Sequence, residues 1–274
     1  MAKLLGRVIA ITNQKGGVGK TTTCVNLAAS LAATGRKVLL VDLDPQGNAT
    51  MGSGINKAQL QRSITDVLLD GQDILKVVTP TPEAGYDLVP ANGDLTAAEI
   101  SLIELPQREQ RLAQALSSLL SSYHFVLIDC PPSLNMLTLN ALVAAHGVII
   151  PIQCEYYALE GLSSLLDTVN QIRQTVNSQL HIDGILQTMY DGRNRLSLDV
   201  AVQLKEHFGE LVFRTVIPRN VRLAEAPSHG VPALIYDKRS QGAEAYLTLA
   251  GEILGRHHRN QHTTNSREEV IHGG

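Results

Sequence analysis

Short, nearly unbroken apolar runs recur along the chain: Val8–Ile11, K-V-L-L-V-D-L-D from Lys37, H-F-V-L-I-D from His124, G-V-I-I-P-I-Q from Gly147 and I-D-G-I-L-Q-T-M-Y from Ile182. Runs this short, apolar at both odd and even positions, predict strands covered on two faces. Tyr86–Ala91 and Phe213–Asn220 read as two further strands. Between them the apolar spacing turns helical. Helices are expected from Thr21 to the left-handed stop at Gly35, from the Ser63 cap through Leu69 to Gly71, and over Gln107–Leu120 behind Pro106. Leu134–Ala145, the long amphipathic stretch Ala158–Val176 and Gln241–His257 complete the set. Residues 51–105 are less clearly patterned. Strands alternating with helices predict an α/β fold, a doubly wound and mainly parallel sheet with helices on both faces and right-handed crossovers. One domain is expected over residues 1–258, and the polar remainder, 259–274, reads as a disordered tail.

The junction of the first strand and first helix carries the chemistry. It reads Q-K-G-G-V-G-K-T-T, Gln14 to Thr22. Gly16, Gly17 and Gly19, with Val18 between them, let the backbone curl with its amides inward, and the helix start adds partial positive charge. Lys20 is placed to reach β- and γ-phosphates, and the Thr21 hydroxyl to ligate Mg²⁺. The strict phosphate-loop pattern has glycine where Gln14 stands, and a second lysine, Lys15, follows. Asp42 and Asp44 end the second strand, and Asp129 ends the strand from His124. Ligands bind at such strand ends, so these acids are expected beside the phosphates, with Asp129 holding Mg²⁺ through water. D-P-Q-G after Leu43 also suits a plain turn, and Cys130 reads as a small buried side chain.

K-G-G-V-G-K-T-T, followed by V-D-L-D-P-Q-G-N-A-T from Val41 to Thr50, resembles the ParA/Soj partitioning ATPases, of the deviant-Walker group that also holds MinD-like and nitrogenase iron proteins. The likeness spans Arg7 to about Leu254. It implies an ATP- and Mg²⁺-dependent ATPase for chromosome or plasmid segregation, in which Lys15 crosses to a partner subunit's nucleotide and Asp44 orients the attacking water. It further implies adenine contacts near Met189, Pro218 and Asn220. An ATP-bound homodimer would bind duplex DNA without sequence preference, and a ParB-like centromere-binding protein would stimulate hydrolysis. The DNA contacts implied are Arg193 and Arg222, with Arg195 and Lys205 as helpers.

Composition narrows this only slightly. Hydrophobic content of 44% and charged content of 18% describe an ordinary globular chain. A net charge of −3 gives no global signature for nucleic acid, so DNA contact must be local. The scattered Lys and Arg of the last third equally suit a solvated face. No long apolar run precedes the first strand, and a cytoplasmic, nucleoid-associated protein without stable membrane insertion is expected. Cys24, Cys130 and Cys154 form no C-x-x-C pair and read as reduced thiols. His257, His258 and His262 read as solvated. Cys154-Glu155-Tyr156-Tyr157 reads either as a loop or as a segment facing a dimer partner. A MinD-like membrane-associated ATPase, an iron-protein-like redox carrier and a small-molecule kinase remain open alternatives.

Overall fold

In a computed structural model of the chain, which describes residues 6–156 and 158–272 apart from the side chains of His258 and 260–272, a single sheet organises everything else. Its strands are β1 (Arg7–Ile11), β2 (Val38–Asp42), β3 (Thr79–Thr81), β4 (Tyr86–Val89), β5 (Phe125–Asp129), β6 (Gly147–Gln153) and β7 (His181–Thr188). They lie in the order β3-β4-β2-β5-β1-β6-β7. All pairings are parallel except the antiparallel edge β3–β4. From β1 the chain runs outward to β2 on one side and later returns to β6 on the other, so the carboxyl end of β1 is the switch point where such sheets open a crevice.

The helices are α1 (Lys20–Ala33), α2 (Asn48–Gly52), α3 (Ile64–Asp70), α4 (Leu95–Leu102), α5 (Arg111–Ser117), α6 (Met136–Ala144), α7 (Ala158–Thr175), α8 (Arg195–Phe208), α9 (Val221–Glu225), α10 (Ala233–Tyr236) and α11 (Gln241–His272). Strand alternation sends successive side chains into two separate cores. Val8, Ala10, Leu39, Val41, Val126 and Ile128 pack under α3 to α8. Ile9, Ile11, Val38, Leu40, Phe125 and Leu127 pack under α1, α2 and α9 to α11. Both parities are therefore buried, which is why these strands read as continuous apolar runs. Among the described residues no helix is long and apolar enough to cross a membrane.

Several sequence expectations are corrected. Phe213–Asn220 is not a continuous strand: Val212 and Pro218 form isolated parallel bridges to Ile185 and Tyr190, and the Phe213, Ile217 and Arg219 amides donate to the Ile185, Gln187 and Tyr190 carbonyls without an unbroken ladder. The Arg214 and Thr215 amides turn away to the Glu252 carboxylate at 3.0 and 2.9 Å, and Pro218 has no amide to give. The helix expected behind Pro106 starts only at Arg111, because Gln107 takes a left-handed φ of 52°. Helix α8 was not anticipated; its Asn194 cap and the Val200–Leu204 spacing carry the signal. The α11 backbone runs to His272, and no glycine or proline interrupts 256–272. Tyr157 and the side chains of His258 and His262 lie outside the described residues.

Candidate active site

The loop from β1 to α1 takes its shape from backbone conformation and three side-chain ties. Gly17 and Gly19 sit at φ of 73° and 87°, a region that side chains with a Cβ rarely adopt. Asn13 donates to the Pro151 carbonyl at 2.7 Å and accepts the Lys15 amide at 3.0 Å, fastening the loop to β6. The Thr188 hydroxyl donates to the Val18 carbonyl at 2.7 Å, fastening it to β7. Lys20, only 7% exposed, donates to the Lys15 carbonyl across the loop at 3.1 Å. Burial pulls its pKa down, opposed first by the nearby Asp129 carboxyl and also by Asp44. A desolvated ammonium encircled by amides is a site for phosphate oxygens. Val18 itself is fully buried, so it serves the loop through its backbone.

The three acids separate into distinct roles. Asp42 and Asp129 are register partners on adjacent strands, and both are fully buried. Asp42 does not face the phosphates, contrary to expectation. It accepts the Thr50 amide at 2.8 Å, the Thr50 hydroxyl at 2.7 Å and the Asp44 amide at 3.2 Å, and so ties down α2. Burial still raises its pKa to about 6. Asp129 is pushed up to about 8, by burial first and by the Asp42 charge second, although the Thr21 hydroxyl favours its ionised form. Cys24 donates to Asp129 Oδ1 at 3.4 Å, while Oδ2 has no hydrogen-bond partner among the described residues. A buried carboxylate oxygen without a partner, next to a threonine hydroxyl, is the donor set a hard divalent cation such as Mg²⁺ takes. Asp44 accepts the Gln46 amide at 2.9 Å and reaches the same space from the β2 side.

The loop and Asp44 open onto a cavity of about 520 Å³, with Asp129 buried behind the Thr21 hydroxyl rather than in its lining. Gly16, Gly17, Gly19, Lys20, Thr21, Thr22 and Asp44 line one end; Met189, Pro218 and Asn220 line the other, joined by Arg219, Thr188 and Tyr246. The Asn220 Oδ1 accepts the Arg222 and Leu223 amides at 3.0 and 3.3 Å, capping α9, which leaves the amide nitrogen for a ligand. Asn13, Thr188 and Tyr246 were missed by sequence reading. Lone polar residues beside apolar runs carry no spacing signal.

Lys15 is not among the cavity-lining residues. Its ammonium forms an ion pair with Glu155, at the end of β6. The DNA candidates are spread out. Arg193 forks onto the Asp191 carboxylate with both contacts at 3.0 Å, and Arg222 contacts Glu225 at 2.7 Å and Asp237 at 3.3 Å. Arg195 and Lys205 are exposed at the first and last turns of α8. Cys24, Cys130 and Cys154 are buried free thiols, so none is offered at the surface to clasp a shared cluster.

A family described as an AAA domain matches residues 6–182. The sporulation initiation inhibitor protein Soj of Bacillus subtilis is 53% identical over 249 residues, covering 91% of this chain and 98% of that one. The chromosome partitioning protein ParA of Caulobacter vibrioides is 49% identical over 252 residues, covering 91% and 94%. Among solved structures, a cobyrinic acid a,c-diamide synthase from Mycobacterium smegmatis with bound ATP analogue and magnesium superposes with a TM-score of 0.80 at 41% identity, covering 91% and 95%. The chain belongs to the ParA/Soj family of chromosome-partitioning ATPases.

Proposed function

We propose that this ATPase is the nucleotide-driven switch of a DNA segregation system. The observation that carries the reading is the partnerless Asp129 oxygen at the base of the loop that holds Lys20 and Thr21. Lys20 and the loop amides, with Gly16, Gly17, Gly19 and Thr22, bind the triphosphate. Thr21 and, through water, Asp129 hold Mg²⁺, which when bound neutralises charge on the phosphate oxygens. Asp44 orients the attacking water. Pro218 and Asn220, with Met189, enclose the base.

Residues 1–258 act as one ATPase unit. Lys15 completes the site of a second subunit, neutralising charge that builds on the transferred phosphoryl group. The ATP-bound homodimer binds duplex DNA through Arg193 and Arg222, aided by Arg195 and Lys205. Arg193 and Arg222 must exchange their carboxylate partners for phosphates. A ParB-like partner stimulates hydrolysis, which releases the DNA and drives chromosome or plasmid segregation on the nucleoid.

The test is duplex-DNA retention with ATP, ADP and no nucleotide across a salt series. Retention specific to ATP and falling steeply with salt is expected; equal retention in all three states overturns the switch. Lys15→Ala should keep nucleotide affinity within about twofold while abolishing ATP-dependent dimers in sedimentation velocity. An intact dimer refutes the role of Lys15.

A further inference from the structure

The backbone around Lys15 is fixed from three sides, yet among the described residues its ammonium has one partner, Glu155, that is itself movable. Asn13 holds the Lys15 amide, Lys20 holds its carbonyl, and Asn13 ties the whole turn to Pro151 in β6. The Glu155 backbone is equally set. Its amide donates to the Gln153 carbonyl at 2.8 Å, and its own carbonyl accepts the Ala158 amide at 2.9 Å at the start of α7. Next to it, Cys154 is buried, and its carbonyl accepts the Ser197 hydroxyl at 3.4 Å. Two rigid turns therefore present a lysine and a glutamate to each other, and both side chains are 45% exposed. Glu155 does not line the nucleotide cavity. Nothing else described makes use of its charge.

We propose that Glu155 is a holding residue for the Lys15 ammonium within one subunit, and that giving up this ion pair sets how readily ATP closes the dimer. The inference rests on the reading that Lys15 serves a second subunit. An ammonium paired at home must break that pair before it reaches a phosphate across an interface. The phosphate wins because a triphosphate carries more charge than one carboxylate. An exchange of this kind makes dimerisation depend on the triphosphate, since ADP offers less charge for the ammonium given up. It also guards a monomer from presenting a bare cation at its rim.

The test compares wild type with Glu155→Gln, which keeps size and removes charge, and with Glu155→Asp. The readouts are the dimer dissociation constant in ATP by sedimentation velocity, ADP affinity, and the acylation rate of Lys15 in nucleotide-free protein by mass spectrometry. Half-exposed ion pairs are modest, so about a two- to fivefold gain per subunit is expected for Glu155→Gln. Two subunits lower the dissociation constant by roughly the square of that factor. ADP affinity stays the same, Lys15 acylates several-fold faster, and Glu155→Asp falls between the two. Looser dimers in Glu155→Gln would overturn the inference by placing Glu155 across the interface. Equal dissociation constants, or unchanged Lys15 acylation, would overturn it while leaving the dimer itself intact. No ATP-dependent dimer in either protein would instead take down the underlying role of Lys15, and this inference with it.

Discussion

On the proposed reading Asp129 carries opposing demands at a single residue: holding a cation requires it ionised, yet its surroundings favour the proton. A carboxyl with a folded-state pKa near 8 and an ordinary pKa when unfolded binds its proton more tightly in the fold. Stability is therefore unaffected below about pH 4 and declines as the pH climbs from there toward 8. Removing the charge should reverse this. Asp129→Asn, stripped of nucleotide and metal, is expected to be more stable than wild type by about 1–3 kcal/mol at pH 8 and no more stable at pH 4. Thermal melts across that range measure it. The same substitution should erase the gain in nucleotide affinity that Mg²⁺ brings, followed by titration with and without the cation. A melting difference that does not change with pH would mean that Asp129 is not the group that titrates.

Elements are joined around the site by side chains whose importance depends on what they tie. Thr50 donates its hydroxyl to Asp42 and accepts the Ala91 amide at 2.9 Å, so one small residue links β2, α2 and the end of β4. Thr50→Val should cost about 2–3 kcal/mol, because it takes one of three hydrogen-bond donors from a buried carboxylate and leaves the buried Ala91 amide without an acceptor. Urea denaturation measures that loss. Thr188→Val removes only the tie to Val18 and should weaken ATP binding by about 1 kcal/mol, roughly fivefold, with less effect on stability. This difference shows what was legible in the sequence. The β1–loop–α1 unit and the acids at strand ends were readable because backbone chemistry fixes residue type and spacing there. Thr50, Thr188 and Asn13 were not, since their partners lie 8 to 170 residues away and nothing local marks them. Phe213–Asn220 misled for a related reason. Its composition suits a strand, but a glutamate from α11 takes the Arg214 and Thr215 amides and so interrupts the ladder between the Phe213 and Ile217 amides that bond β7. Asp42 misled because its position matches Asp44 in pattern, while its hydrogen bonds make it a brace.

Across the whole molecule, that glutamate connects the last helix to the far wall of the nucleotide cavity. Glu252 accepts the Arg214 amide, the Thr215 amide and the Thr215 hydroxyl, and Arg256 contacts it at 2.8 Å. Arg256 in turn lies over the Phe213 ring at 4.3 Å and donates to the Asp183 and Val212 carbonyls at 3.1 Å each. The segment leading to Pro218 and Asn220 is thus held from two sides, by α11 through Glu252 and by β7 through the Phe213 and Ile217 amides. Burial raises the Glu252 pKa, but the two amides, the hydroxyl and the guanidinium outweigh it, and the net shift is downward. A depressed carboxyl stabilises the fold above its unfolded pKa and loses that contribution as pH falls through its folded value, so this brace fails in acid. Glu252→Ala, which touches no nucleotide-lining atom, should cost about 2–3 kcal/mol of stability at pH 7. It should also lower nucleotide affinity several-fold by loosening residues 214–220. Lys20→Ala, by contrast, should remove binding without loss of stability, since it vacates a cation already disfavoured by burial. Calorimetric binding alongside melting curves separates the two. If Glu252→Ala melts early yet binds nucleotide like wild type, the wall of the cavity stands without α11, and the coupling between the closing helix and the site does not exist.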